Sequence, residues 1–150
     1  AGGAPAIVYA VFPSAREHQY RYARWVNGEW IKSELVSAGG WMPQTPFFGE
    51  ERERYYSGGI SLDHSNPDVV YLSREIDGTF EIEKWTTEDS GRTWSSSPVT
   101  SGSRRDNIRP VVPAGAPYVL WMRGDYVHYT DFHTSIQMVN TSSVSEVRSH

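Results

Sequence analysis

The sequence predicts an all-β fold, and three observations support this. Short runs rich in Val, Ile, Tyr, Phe and Trp recur along the 150 residues, and clusters of Gly, Pro, Asn and Asp separate them. Helical periodicity is almost absent. Aromatic residues are abundant, with 6 Trp and 9 Tyr, beside 13 Gly and 9 Pro, a composition that suits sheets joined by many turns. We therefore expect short antiparallel strands, grouped in three blocks along the chain.

The first block contains three predicted strands. Ile7–Phe12 is a run with Val, Tyr and Phe, and Gln19–Trp25 alternates in the period of two that a strand requires. The dipeptide Asn27-Gly28 that follows is the strongest short signal for a hairpin, because both residues tolerate positive φ. Glu29–Val36 is then the returning strand.

A long connection, Ser37–Ser57, follows the first block. It is rich in Gly, Pro and aromatic residues and contains the charge run Glu50–Arg54. Loops of this length without secondary structure are usually functional. The alternative is an exposed loop whose charges are simply solvated.

The second and third blocks each contain four predicted strands. Those of the second block are Gly58–Leu62, Val69–Arg74, Phe80–Thr87 and Trp94–Thr100. Those of the third block are Asn107–Val112, Tyr118–Met122, Tyr126–Thr130 and Ser135–Val139. The tail, residues 140–150, is polar and is expected to fray.

The segment Thr87–Trp94 reads Ser/Thr-x-Asp-x-Gly-x-Thr-Trp, between two β-rich runs. Asp89 can accept hydrogen bonds from backbone N–H groups of a turn, and Gly91 can adopt positive φ without steric cost. The ring of Trp94 can fold over the hairpin and bury a large apolar area. The motif therefore predicts a structural turn; an ordinary Asp/Gly hairpin is the plainer interpretation.

This motif resembles the Asp-box of the sialidase-type (BNR) β-propellers. Four further segments resemble the branch of that family that includes propeller polysaccharide lyases and related glycosidases: His18–Trp25, Tyr56–Asp63, Asn66–Ser73 and Asn107–Val112. The resemblance covers most of residues 6–139 and corresponds to the C-terminal portion of family members. True sialidases require an arginine triad and an Arg-Ile-Pro motif, which this sequence lacks.

The resemblance implies a single β-propeller unit over residues 1–150, built from about three blades of four antiparallel strands. The blades would be a partial one at about 6–36, a second at about 56–100 and a third at about 106–139. Because closed propellers need about 4 to 8 blades, the chain is expected either to have further blades upstream or to self-associate. An open β-sandwich is the alternative.

Composition narrows the classes of function. The formal net charge of -4 argues against a nucleic-acid-binding surface. The absence of cysteine excludes disulfides and thiolate metal sites, and no apolar run is long enough to span a membrane. The histidines match no strong metal-binding spacing, so we expect neither a metal nor another cofactor. We expect a secreted or periplasmic protein.

In such a propeller, ligands bind at the face opposite the Asp-box turns. That face is rich in arginine in this chain, although the chain as a whole is acidic. The planar guanidinium group pairs bidentately with a carboxylate, so an anionic ligand is expected there. The predicted substrate-binding residues are Arg16, Arg54, Arg74, Arg105 and Asn107.

The resemblance further implies action on an acidic polysaccharide or oligosaccharide, by β-elimination at a uronate or by glycoside hydrolysis. β-Elimination requires a group that neutralises the carboxylate, a base and an acid, and we predict Arg109, His18 and Tyr56 in these catalytic roles. Hydrolysis would instead use two carboxylates roughly 5–9 Å apart. Carboxylates on the expected face are Glu17, Glu50, Glu51, Glu53 and Asp106. The alternative function is a non-catalytic propeller fragment that binds carbohydrate or protein.

Overall fold

The computed structural model describes residues 4–14, 17–40 and 59–143. Within these ranges the chain forms three antiparallel sheets, so the all-β prediction is confirmed. Sheet 1 has three strands, sheet 2 has four and sheet 3 has three. No helix in these ranges is long and apolar enough to cross a membrane.

The strands follow one another along the chain with hairpin connections inside each sheet. Sheet 1, in the order β1-β2-β3, consists of β1 (Ala6–Ser14), β2 (Glu17–Val26) and β3 (Glu29–Gly39). Sheet 2, in the order β4-β5-β6-β7, consists of β4 (Ile60–Leu62), β5 (Val69–Ile76), β6 (Thr79–Thr86) and β7 (Ser95–Pro98). Sheet 3, in the order β10-β9-β8, consists of β8 (Asn107–Val111), β9 (Tyr118–His128) and β10 (Asp131–Asn140), and a 3-10 turn, Thr141–Ser143, follows it.

Two tight hairpins form where Asn-Gly and Asp-Gly dipeptides occur. Asn27 and Gly28 have φ of 51° and 89°, and Asp77 and Gly78 have φ of 51° and 84°. Positive φ at both central residues is the geometry whose twist matches that of the flanking strands. The β2–β3 hairpin predicted from Asn27-Gly28 is therefore confirmed.

The predicted division of the third block into four strands is wrong for the described residues. Tyr126–Thr130 is not a separate strand, because β9 continues through Gly124 to His128 and the chain turns only at residues 129–130. Gly124 does not form a turn; it lets two backbones approach closely, since a Cβ atom at this position would overlap the backbone of His133 on β10.

The sheets stack in chain order, with sheet 2 in the middle. Five consecutive residues at the start of β5 are buried, because this strand is covered on both faces. Val70 and Leu72 pack with residues of sheet 1, and Val69 and Tyr71 pack with residues of sheet 3. Alternate side chains of one strand thus join two separate hydrophobic cores.

Sheet 2 has two ends with different surroundings. At one end, Thr86 of β6 pairs with Ser95 of β7, beside the hairpin that connects these two strands. At the other end, the backbone N–H of Phe80 donates to Asp106 Oδ1 at 3.0 Å. The eight residues of β6 separate the two ends by about 23 Å. We call the first the Asp-box end, after the motif that the Thr87–Trp94 segment resembles, and the second the far end.

Candidate functional site

The Asp-box end of sheet 2 is closed by the side chain of Asp89. Its Oδ1 accepts hydrogen bonds from the backbone N–H groups of Arg92 and Thr93, both at 2.8 Å, and its Oδ2 accepts one from the Thr93 hydroxyl at 2.7 Å. The Thr87 hydroxyl donates to the same carboxylate at 2.9 Å. The bonds from Thr93, with those from Thr87 and Arg92, lower the pKa of Asp89 to about 2.

Trp94 fastens this hairpin to sheet 1. Its ring packs edge-on against Tyr22, with centroids 4.9 Å apart, and its Nε1 donates to Ser33 Oγ at 3.2 Å. Arg24 on β2 forms an ion pair with Asp68, which lies in the turn before β5. The Asp-box end is therefore occupied by contacts that hold two sheets together.

At the far end, the carboxylate of Glu81 is buried and bound by neutral donors. Its Oε1 accepts from the Ser103 N–H at 2.7 Å, and its Oε2 accepts from the hydroxyls of Thr100 and Ser103 at 2.5 and 2.9 Å and from Asn107 Nδ2 at 3.2 Å. Glu81 is only 2% exposed. This carboxylate therefore anchors the link between β7 and β8.

Asn107, predicted to bind substrate, lies inside the protein at the first position of β8. It is 1% exposed, and its Oδ1 accepts a hydrogen bond from Trp121 Nε1 at 2.8 Å. Its backbone carbonyl accepts one from the Ser73 hydroxyl at 2.8 Å. Asn107 thus joins sheet 2 to sheet 3, and its amide is engaged by protein groups on both sides.

Arg74, another predicted substrate-binding residue, forms a bidentate pair with Glu83. Its Nε and Nη2 donate to the two carboxylate oxygens at 2.8 and 2.9 Å, and Trp85 Nε1 donates to Glu83 Oε2 at 3.0 Å. The hydrogen bonds that Arg74 donates to Glu83 raise the pKa of Arg74. The positive charge expected on this face is therefore compensated at Arg74.

A cleft of about 480 Å³ opens at the far end. It lies between the Asp77-Gly78 turn and the link that precedes β8, and the side chains of Glu81 and Glu83 contribute to its wall. Thr79 and Ser101 also line it. Ser103 is the last cleft-lining residue of this link, and the exposed residues Arg104 and Arg105 follow it. Arg105, predicted to bind substrate, therefore lies two residues beyond the cleft wall.

His18, the predicted base, lies buried at the start of β2. Its Nδ1 donates to the Gly40 carbonyl at 2.6 Å, because a carbonyl can only accept, and its Nε2 has no hydrogen-bond partner among the described residues. Burial between the rings of Phe12 and Tyr20 lowers the pKa of His18. The lowered pKa favours the neutral imidazole, in which Nδ1 carries the proton and Nε2 is unprotonated.

Arg109, predicted to neutralise the substrate carboxylate, lies two residues beyond Asn107. Its backbone φ of 55° is uncommon for a residue other than glycine and coincides with an irregularity in the pairing of β8 with β9. Its guanidinium lies 4.1 Å from the centre of the Tyr126 ring, a cation–π contact within sheet 3. His18 belongs instead to sheet 1, and no described contact joins the two residues.

Three predicted site residues, Arg16, Arg54 and Tyr56, lie outside the described residues. Sequence reasoning did not single out Glu81 and Glu83. The signal was present, since both alternate with the buried residues Phe80 and Ile82 on one strand and therefore share the opposite face.

Within the described ranges, no group of three or more His, Asp or Glu side chains could hold a metal ion. Comparison of the chain with protein-family models, with curated proteins and with solved structures finds no match.

Proposed function

We propose that this chain forms blades of an Asp-box β-propeller and binds an acidic polysaccharide at the far end, as part of a carbohydrate-active protein. One observation supports this above all. The Thr87–Trp94 hairpin joins the last two strands of sheet 2 at one end, and the cleft and the exposed basic link lie at the other. This is the separation expected between Asp-box turns and a ligand face.

The chemistry of the far end suits a uronate-containing glycan. Exposed Arg104 and Arg105 can pair with sugar carboxylates, while Thr79 and Ser101 offer hydroxyls to sugar hydroxyls. Glu81 and Glu83 would repel a carboxylate inside the cleft. The ligand is therefore expected to place its hydroxyls in the cleft and its carboxylates toward the two arginines.

For cleavage by β-elimination, His18, Arg109 and Tyr56 remain the proposed base, neutralising group and acid. The unprotonated Nε2 of His18 favours its role as a base, but the ring is buried and would need to be uncovered to reach a substrate. Hydrolysis would be the other reaction. Glu81 and Glu83, two residues apart on one face of β6 and both in the cleft wall, are the carboxylates that it would use.

A second candidate function is a non-catalytic propeller segment that binds carbohydrate. The hydrogen bonds already made by the Glu81 and Glu83 carboxylates favour it. Four neutral donors engage Glu81, and Arg74 engages both oxygens of Glu83. A general acid or base must exchange a proton with the substrate, and saturated carboxylates are poorly placed for this. The described residues therefore support binding more directly than cleavage.

Binding is tested by calorimetry of the chain with polygalacturonate and with neutral dextran. We expect binding to the acidic polymer alone, weakened by salt. The double variant Arg104→Ala/Arg105→Ala should bind about 10- to 100-fold more weakly, the loss of two charge-assisted contacts. Arg92→Ala removes the same kind of charge at the Asp-box end and should leave binding unchanged. Equal affinity for dextran would contradict the proposal.

Cleavage is tested on the same mixtures. β-Elimination would produce an unsaturated uronate that absorbs in the ultraviolet, and hydrolysis would produce reducing ends without that absorbance. Binding with neither product would identify the non-catalytic candidate.

A further inference from the structure

The outer face of sheet 3, which points away from sheet 2, is apolar and uncovered within the described part of the chain. Ile136 and Met138 on β10 are 65% and 60% exposed, and Val111 on β8 is 56% exposed. Leu120 and Met122 on β9 pair with Met138 and Ile136, so they lie on the same face. Together with Trp121 and Pro113 they border a groove of about 500 Å³ that has apolar walls apart from Arg109 at its edge.

The outer face of sheet 1, at the other end of the stack, also presents apolar side chains. Ala6 and Val8 of β1 pack on the core between sheets 1 and 2, so that Ile7 points outward, and it is 50% exposed. On the same face, Trp25 and Trp30 form an edge-to-face pair with centroids 5.6 Å apart, and they are 38% and 41% exposed. Lys32 and the Arg21–Glu34 ion pair lie on this face as well. The three-sheet stack therefore ends in an apolar face on sheet 3 and in a mixed face with an aromatic pair on sheet 1.

We infer that the outer face of sheet 3 docks on the outer face of sheet 1 of a second copy of this chain, and that two copies close into a ring of six sheets. This inference rests on the blade arrangement of the proposed function. The two faces belong to different sheets, so a head-to-tail contact repeats, and with two copies it closes on itself. Six sheets lie within the range of about 4 to 8 that closed propellers use.

The area of the faces favours a closed pair over a single contact. The strands of sheet 3 have 5, 11 and 10 residues, and at about 3.3 Å per residue and about 4.8 Å per strand they present about 410 Å². One contact buries about 820 Å² over both partners, less than a stable interface needs, whereas two contacts bury about 1,650 Å². A closed pair, with two contacts between the same two copies, therefore buries the area of a stable interface. An open chain of copies, with one contact between neighbours, buries too little at each contact.

The oligomeric state is measured by light scattering after size-exclusion chromatography. The wild-type chain should have twice the 17.0 kDa mass of one copy. Ile136→Glu and Ile7→Glu each place a charge in both contacts of the ring, and each should give a monomer with an unchanged circular dichroism spectrum. Tyr129→Glu, on the exposed β9–β10 turn and 70% exposed, is the matched control and should remain dimeric.

Mixing the two monomeric variants separates head-to-tail from symmetric docking. The mixed pair retains one native contact, between sheet 3 of the Ile7→Glu chain and sheet 1 of the Ile136→Glu chain, and should associate more strongly than either variant alone. A wild-type monomer at 100 μM would overturn the inference, as would a dimer that both variants preserve. A monomer that still binds polygalacturonate would overturn this inference alone, whereas a dimer that binds no glycan would count against the proposed function.

Discussion

Arg74 and Glu83 form a bidentate pair on neighbouring strands of sheet 2, with N–O distances of 2.8 and 2.9 Å. The side chain of Glu83 is 9% exposed and that of Arg74 is 32% exposed, so the carboxylate is largely removed from water and the guanidinium only partly. Glu83 lines the far-end cleft, and Arg74 compensates its charge. Arg74 therefore stabilises the site rather than offering an open anion-binding group.

Replacing Arg74 with Ala should lower the free energy of unfolding by about 1–3 kcal/mol, because Glu83 would be left buried without its partner. Urea unfolding followed by fluorescence measures this. Glu83→Gln removes the charge but keeps an acceptor for Trp85 Nε1, and it should cost less than Arg74→Ala. A double-mutant cycle should show coupling between the two positions. Additive effects would mean that the pair contributes no specific stability.

Asp89 should make the stability of the chain depend on acid pH. The folded-state pKa of about 2 lies below the unfolded value of about 4, so the carboxylate stabilises the fold above pH 4. That contribution should be lost as the pH falls from about 4 to about 2. Urea unfolding between pH 2 and 6 should show a smaller acid-induced loss for Asp89→Asn than for the wild type. Asp125→Asn, an exposed carboxylate on β9, should retain the wild-type pH dependence.

Local sequence signals predicted the hairpins well, because their geometry depends on two residues. Asn27-Gly28 defined the β2–β3 hairpin, and the Asp89-centred motif connects β6 with β7. The predicted break between Met122 and Tyr126 was wrong, because β9 continues through Gly124, where the backbone of His133 on β10 approaches closely. Such a contact leaves no pattern in the local sequence.

The strand order predicted from the sequence placed Arg74 and Asn107 at the far end of the sheet. It did not predict the hydrogen bonds that their side chains make. Asn107 contacts Glu81, 26 residues away on β6, and Trp121, 14 residues away on the neighbouring strand β9. Side-chain pairing over such separations depends on how sheets stack. Sequence alone therefore indicated which end of the sheet these residues occupy, but not that protein groups already engage them.

Gly91→Ala should destabilise the fold more than Gly28→Ala. Both glycines have positive φ, 93° and 89°, so each substitution carries backbone strain of about 1–2 kcal/mol. At Gly91 the added Cβ would also lie 2.6 Å from the Tyr22 ring, whereas at Gly28 nothing lies within 4 Å. Thermal unfolding of the two variants should show a clearly larger decrease for Gly91→Ala. Equal decreases would mean that Tyr22 does not pack against this hairpin.

Asn107→Asp should cost about 2–4 kcal/mol at neutral pH, because it places a second carboxylate beside buried Glu81, where Nδ2 and Oε2 are 3.2 Å apart. The loss should shrink at acid pH, where one of the two groups takes up a proton. Asn66→Asp makes the same chemical change on an exposed turn and should alter the free energy of unfolding little. Chemical unfolding at pH 7 and pH 4 tests both variants; a pH-independent loss would argue against charge repulsion.

The proposed glycan site can be mapped from backbone amide NMR signals of the isotope-labelled chain during titration with an oligogalacturonate. Ligand binding at the far end should shift the signals of residues 74–83 and 101–107 and leave those of residues 87–94 in place. Shifts concentrated in Thr87–Trp94, with residues 101–107 unaffected, would contradict a ligand face opposite the Asp-box end.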